Sequence, residues 1–152
     1  MDESDLIFSI EEGSDRFLLE PLASADSYGY VNFSASVSAL GFTGENTDIC
    51  CDLRDLNRFF NELVELEQKR QGSAMLESVS TRSEYNELFF QVYSIDRGGN
   101  MAVDVVIQKI RYLGGKIALL KVSASFAIDP GKMTIIVRDF RKLLKFVNKP
   151  AV

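Results

Sequence analysis

Residues 31–40 read VNFSASVSAL, and this alternation decides the fold class. Apolar residues stand at every second position from Val31, with asparagine or serine between them. Successive side chains of a β-strand point to opposite faces of its sheet, so this period predicts a strand over residues 28–40 with one buried face. The small residues Ala35 and Ala39 on that face predict that a helix packs close to it.

A second strand and a long helix follow this strand. Residues 42–51 are predicted as the strand, and the helix begins after Asp52, which is a suitable N-cap. Gly72 is the expected C′ residue, because glycine readily adopts the positive φ that ends many helices. The helix carries one apolar stripe. Its members are Leu53, Leu56, Phe60, Leu63 and Val64, with Phe60 at the centre and Phe59 widening the stripe at its border.

The remaining sequence completes two similar halves. Strands are predicted over residues 6–10, 16–22, 73–80, 88–95, 101–113 and 116–128. Gly114-Gly115 predicts a two-residue hairpin turn, and Asp129-Pro130 predicts the N-cap and first position of a second helix. The buried stripe of that helix is Met133, Ile136, Val137, Phe140, Leu143, Leu144 and Val147. Its outer face carries Arg138, Arg141, Lys142 and Lys145.

These elements predict an α+β protein. About eight antiparallel strands form one or more curved sheets in a β4-α-β4-α order, with two helices packed on one face. We find no linker rich in proline, glycine or serine, so residues 1–152 are predicted to form a single domain. Its two β4α halves cover about 1–71 and 72–148.

The composition excludes several kinds of catalytic site. The chain contains no histidine, which removes Ser-His and Cys-His nucleophile pairs and histidine-ligated zinc. Its two cysteines, Cys50 and Cys51, are adjacent, so we expect free thiols on opposite faces of a strand. The sequence therefore predicts no catalytic residue, no metal site and no cofactor, and an enzyme remains a minor alternative.

Charge is distributed unevenly along the chain. Residues 1–67 carry a net charge of −12 and residues 68–152 a net charge of +7, which gives −5 in total. The two halves could mix their charges on one surface, or an acidic face could bind a basic protein. Net acidity argues against nucleic acid as a partner. Short apolar runs and an acidic beginning predict no membrane span, no signal peptide and a cytoplasmic protein.

A resemblance to the WapI family of polymorphic-toxin immunity proteins rests on motifs spread over residues 30–147. These motifs are Gly41-Phe42-Thr43-Gly44, Asp52-Leu53, Phe59-Phe60, Leu63, Leu66 and Gly72-Ser73-Ala74-Met75-Leu76. The closing part adds Phe126, Asp129, Met133, Ile136, Val137 and Phe140. Pro130-Gly131-Lys132 departs from the family pattern at the entry to the last helix.

The resemblance implies a non-catalytic protein that binds and occludes a cognate bacterial toxin. An acidic surface would suit a basic toxin domain. The candidate partner-binding residues are Glu45, Asp48, Asp52, Asp55, Glu62 and Glu65. The alternatives are an acidic secretion or folding chaperone and an enzyme of unknown type.

Overall fold

The computed structural model of the chain describes residues 6–79 and 86–149. Eight strands and two helices follow one another in the β4-α-β4-α order, so the predicted α+β class is confirmed. The strands are β1 Phe8–Glu12, β2 Asp15–Pro21, β3 Tyr30–Ala39, β4 Phe42–Asp52, β5 Ser73–Glu77, β6 Leu88–Ser94, β7 Met101–Leu113 and β8 Lys116–Ile128. The helices are α1 Leu53–Lys69 and α2 Met133–Val147. The acidic first five residues and the end of the predicted strand 73–80 lie outside the described residues.

The eight strands divide into two antiparallel sheets. The first sheet has the order β1-β2-β3-β4 and the second the order β5-β6-β7-β8, so every strand pairs with its neighbour in sequence. Short turns suffice for such pairing, and α1 links one sheet to the other. Across the core β3 approaches β7 and β8, whereas its small residues had predicted a helix there. The helices pack on each other, with α1 along β5 and α2 against β1.

Phenylalanine rings occupy the centre of the core. Phe90 of β6 stacks on Phe17 of β2 with ring centroids 4.4 Å apart, and it lies 5.4 Å from Phe59 of α1. Phe140 of α2 meets Phe59 edge-on at 4.9 Å and Phe8 of β1 at 5.2 Å. Both sheets and both helices therefore contribute rings to one continuous core, which is where most of the apolar surface is buried.

The two ends of α1 differ in how well the sequence predicts them. The Asp52 side chain accepts a hydrogen bond from the Arg54 backbone N–H at 2.8 Å, which confirms Asp52 as the N-cap. At the other end Arg70, and not Gly72, is the C-cap in the left-handed conformation, with φ of 58°. The Arg70 N–H bonds the Leu66 carbonyl, so the helix ends before Gly72 is reached.

The last helix starts later than the sequence predicts. Pro130–Lys132 forms a 3-10 turn, and the Asp129 carboxylate accepts from the Gly131 N–H at 2.9 Å. Lys132 binds the carboxylate of Glu12 at the end of β1, so this turn is fixed to the first sheet. From Met133 onward the helix is regular, and all seven residues of its predicted stripe are buried.

Gly44 on β4 marks a close approach of the two sheets. A Cβ atom added at Gly44 would lie 2.5 Å from Cγ2 and 2.6 Å from Cβ of Val122 on β8. Only glycine leaves room for the Val122 side chain at this point, since real Cβ atoms do not approach so closely. The glycine therefore positions the second half of the β7–β8 hairpin against the first sheet.

Gly44→Ala should destabilise the protein by about 1–3 kcal/mol, the usual cost of overpacking a core. Urea titration would measure the loss. The matched control is Gly115→Ala in the β7–β8 turn, where an added Cβ meets nothing within 4 Å. Equal stability of the two variants would contradict the close approach at Gly44.

Candidate functional site

The six acidic residues predicted to bind a partner are divided between β4 and α1. Three of them form ion pairs within the chain. Asp52 caps α1 and also binds the Arg54 guanidinium, and this hydrogen bond lowers the pKa of Asp52. Asp55 pairs with Arg58 at 3.2 Å, and Glu65 pairs with Lys69.

The other three acidic positions are Glu62, Glu45 and Asp48. The Glu62 carboxylate accepts the Met75 N–H at 3.1 Å, which ties α1 to β5. Glu45 and Asp48 lie exposed on β4. A partner-binding role for the six residues stays a prediction, although most of them have a structural task of their own.

The adjacent cysteines are free, as expected. Cys51 is buried and Cys50 is half-buried, in keeping with opposite faces of β4. Burial raises the pKa of the Cys51 thiol far above its usual value, and it also raises that of Cys50. Both thiols are therefore protonated at neutral pH, and the thiolate is the reactive form of cysteine.

A more distinctive surface is the outer half of the β7–β8 hairpin, residues 109–121, which we call the arm. Its strands pair from Lys109 with Leu120 to Leu113 with Lys116, and Gly114 at the turn has a φ of 59°. Neighbouring residues of a strand point to opposite faces. Near the tip the side chains of Arg111, Tyr112 and Leu113, which belong to both faces, are all exposed.

The register of the arm separates two kinds of side chain. Residues directly opposite each other in an antiparallel pair share a face. One face of the arm carries two apolar pairs, Ile110 with Leu119 and Tyr112 with Ile117. The opposite face carries the cations Lys109, Arg111 and Lys116, each of them paired with an aliphatic residue. The exposed fractions of the large apolar side chains are substantial. The exposed fraction is 56% for Tyr112, 55% for Leu113, 54% for Ile117, 42% for Leu119 and 53% for Leu120.

The arm is also the most basic segment of the hairpin. Lys109, Arg111, Lys116 and Lys121 are its four cations, and no acidic residue occurs between Asp104 and Asp129. Within residues 6–79 and 86–149 none of these four cations forms an ion pair. The arm therefore presents four unpaired positive charges beside exposed apolar side chains.

A buried polar contact fixes the base of the arm. The Asn46 side chain is 2% exposed, and its amide donates to the Gln108 carbonyl and to a Glu87 carboxylate oxygen, each at 3.0 Å. The Gln108 side chain in turn donates to the Asn86 carbonyl at 2.6 Å. Buried hydrogen bonds of this kind hold a segment in one position, since leaving them unmade is costly. The arm therefore extends from a rigid base.

Neither a metal-binding cluster nor a membrane-spanning helix is found in the described part of the chain. No group of three or more histidine, cysteine, aspartate or glutamate side chains there could hold a metal ion. No helix within residues 6–79 and 86–149 is both long enough and apolar enough to span a membrane. The arm thus remains the surface with the most distinctive combination of charge and exposure.

The fold is shared with solved plant proteins. The structure of the plant transcriptional regulator PBF-2 superposes with a TM-score of 0.53 at 10% sequence identity, covering 93% of this chain and 81% of that one. WHY1 from Arabidopsis thaliana superposes with a TM-score of 0.52 at 10% identity, covering 93% of this chain and 89% of that one. WHY3 from the same plant has a TM-score of 0.50 at 9% identity, covering 93% of this chain and 87% of that one. No family model and no curated protein matches the sequence.

These neighbours correct the functional expectations from the sequence. The sequence predicted an immunity protein that binds a toxin, with a chaperone as an alternative, and it argued against nucleic acid as a partner. In contrast, one structural neighbour is a transcriptional regulator. The exclusion was wrong because it used the net charge of the whole chain, while binding depends on local charge. Sequence reasoning missed the arm, although a stretch with four bases and no acid in an acidic chain is a visible signal.

Proposed function

We propose that this protein binds single-stranded nucleic acid through the arm. The observation that carries the proposal is a set of four cations beside exposed apolar side chains on one β-ribbon, none of them in an ion pair with another described residue. Lys and Arg side chains neutralise phosphates and release counterions, which supplies most of the sequence-independent affinity for nucleic acid. The likeness to a plant transcriptional regulator supports the same class of partner.

The exposed apolar side chains favour a single strand over a duplex. Unpaired bases present flat apolar faces that can cover Tyr112 and its aliphatic neighbours, and stacking on aromatic side chains is typical of single-strand binding. A duplex offers mainly phosphates and base edges, and it is stiff over about 150 base pairs. A flexible strand can follow both faces of the ribbon, and so reach the cations as well as the apolar side chains.

The acidic remainder of the protein restricts where the strand can bind. Residues 1–67 carry a net charge of −12, which repels phosphates from the surface that they form. A nucleic acid is therefore directed away from that surface and toward the arm. Binding should be local and short in extent.

Fluorescence anisotropy with a labelled single-stranded oligonucleotide tests the proposal. Four phosphate contacts to a single strand predict a slope of log affinity against log salt of about −3. The same sequence as a duplex should bind more weakly at every salt concentration. Absence of binding to the single strand at low salt, or equal affinity for the duplex, would refute the proposal.

A further inference from the structure

A second cationic feature lies where three loops meet, away from the arm. It is an open cleft of about 460 Å³ between the end of α1, the β6–β7 loop and the 3-10 turn before α2. The residues that line it are Lys69, Arg70, Gln71, Arg97, Gly98, Gly99, Pro130 and Gly131. Three of them are cations, and no carboxylate is among them.

The acidic residues closest in sequence to the cleft are engaged elsewhere. The Asp96 carboxylate accepts from the Gly98 N–H at 2.8 Å and from the Asn100 side chain at 2.9 Å, and the Asn100 hydrogen bond lowers the pKa of Asp96. Asp129 accepts from the Gly131 N–H. Both carboxylates therefore hold their own loops in shape.

The two arginines of the cleft lack a carboxylate partner among the described residues. Arg70 donates from Nη1 to the Pro130 carbonyl at 2.5 Å, which joins two walls of the cleft and leaves its other N–H groups available. Arg97 forms no ion pair with any residue of the described ranges. The helix dipole favours cations at the C-terminal end of a helix, which explains the position of Lys69 at the end of α1. That attraction does not explain Arg97, which comes from a separate loop.

The backbone at Arg70 gives an independent reason to assign a role to this residue. Arg70 has a φ of 58°, a conformation that glycine adopts at helix ends without a steric penalty. An arginine at this position accepts backbone strain, and its side chain is thereby aimed at the wall formed by Pro130. Gln71 donates to the Asp96 carbonyl at 3.1 Å, so the loop that carries Arg97 is held against the same helix end.

We propose that this cleft binds a phosphate or diphosphate group, with Arg70 and Arg97 as its principal ligands. Guanidinium groups bind phosphate oxygens through paired, charge-assisted hydrogen bonds. Lys69 is paired with Glu65, so the two arginines carry the site. The phosphate belongs either to a nucleic-acid backbone or to a free phosphorylated molecule. The proposal is independent of the arm, because the cleft contains no residue of it.

Titration with inorganic pyrophosphate, followed by NMR of backbone amides, tests the proposal. The amide signals of Gly98, Gly99 and Gly131 should move, while those of Gly114 and Gly115 at the tip of the arm should stay in place. Arg97→Gln should weaken pyrophosphate binding about tenfold, the effect expected for a lost charge-assisted hydrogen bond. The matched control, Arg138→Gln on the outer face of α2, should bind as the wild type does.

Arg70→Gly separates the role of this side chain in binding from any role in stability. Glycine relieves the positive φ, so the melting temperature should not fall, whereas pyrophosphate binding should weaken about tenfold. Unmoved cleft amides at millimolar pyrophosphate, or wild-type binding by both arginine variants, would overturn the proposal. A parallel titration with a single-stranded oligonucleotide identifies the source. Movement of the same amides assigns the phosphate to nucleic acid, and movement with pyrophosphate alone assigns it to a free molecule.

Discussion

Phe90→Ala is expected to cost about 3–5 kcal/mol of folding free energy, the usual range for removing a buried phenylalanine ring. Phe90 is fully buried and touches the rings of Phe8, Phe17 and Phe59. Its removal leaves a cavity at the point where the two sheets and α1 meet. The surrounding backbone belongs to strands and a helix, so it can collapse into that space only in part.

Urea titration would measure this loss, with the m value expected to stay constant because the surface exposed on unfolding hardly changes. The control is Phe42→Ala, the same substitution at a ring that is 76% exposed. It should change stability by less than about 0.5 kcal/mol. A loss below about 1 kcal/mol for Phe90→Ala would show that the aromatic cluster is not the packed centre of the core.

Helical and strand periodicity could be read from the sequence because burial imposes it directly. All seven stripe residues of α2 are buried, and the polar outer face of that helix is exposed, as its period predicts. Within α1 the same reasoning erred by one residue. Phe60 was placed at the centre of the stripe with Phe59 at its border, but Phe59 is fully buried and Phe60 is half-buried beneath Arg141. Two adjacent apolar residues lie near the same face of a helix. Which of them is buried at the centre depends on the elements that pack against the helix.

Features that depend on contacts between distant segments were not predictable in this way. The close packing of the two sheets involves a contact between Gly44 and Val122, which lies far along the chain. Likewise Arg70 adopts the left-handed backbone and contacts the distant Pro130, whereas local propensity had favoured Gly72 for the helix end. The resemblance to an immunity family rested on core and turn residues, and such residues report fold and not function.

The arm shows why function was harder to predict than fold. The sequence motif that marks it, Gly114-Gly115, was correctly interpreted as a hairpin turn, but a turn carries no information about a ligand. What distinguishes the hairpin is the exposure of both its faces, and exposure is a property of the whole molecule. The cations Lys109, Arg111, Lys116 and Lys121 stand out only once the structure shows that no acidic residue among the described ones pairs with them.

Replacing these four arm cations by glutamine should reduce the affinity for single-stranded oligonucleotide about a hundredfold at low salt, and should bring the salt slope close to zero. The physical reason is that the variant releases almost no counterions on binding. The arm is exposed and pairs through its backbone, so the fold should remain intact. Circular dichroism and urea titration of the variant would verify that it is folded before binding is measured.

The matched control also loses four positive charges, from the outer face of α2 and the residues after it. Its substitutions are Arg138→Gln, Lys142→Gln, Lys145→Gln and Lys149→Gln, which leave the Arg141 contact with Phe60 intact. Both variants have the same net charge, so a difference between them reports position and not total charge. If binding followed total charge, the two variants would lose affinity equally, and the arm would have no special role. We expect the control to keep most of the wild-type affinity and salt slope, because the arm joins its cations to several exposed apolar side chains that can cover unpaired bases.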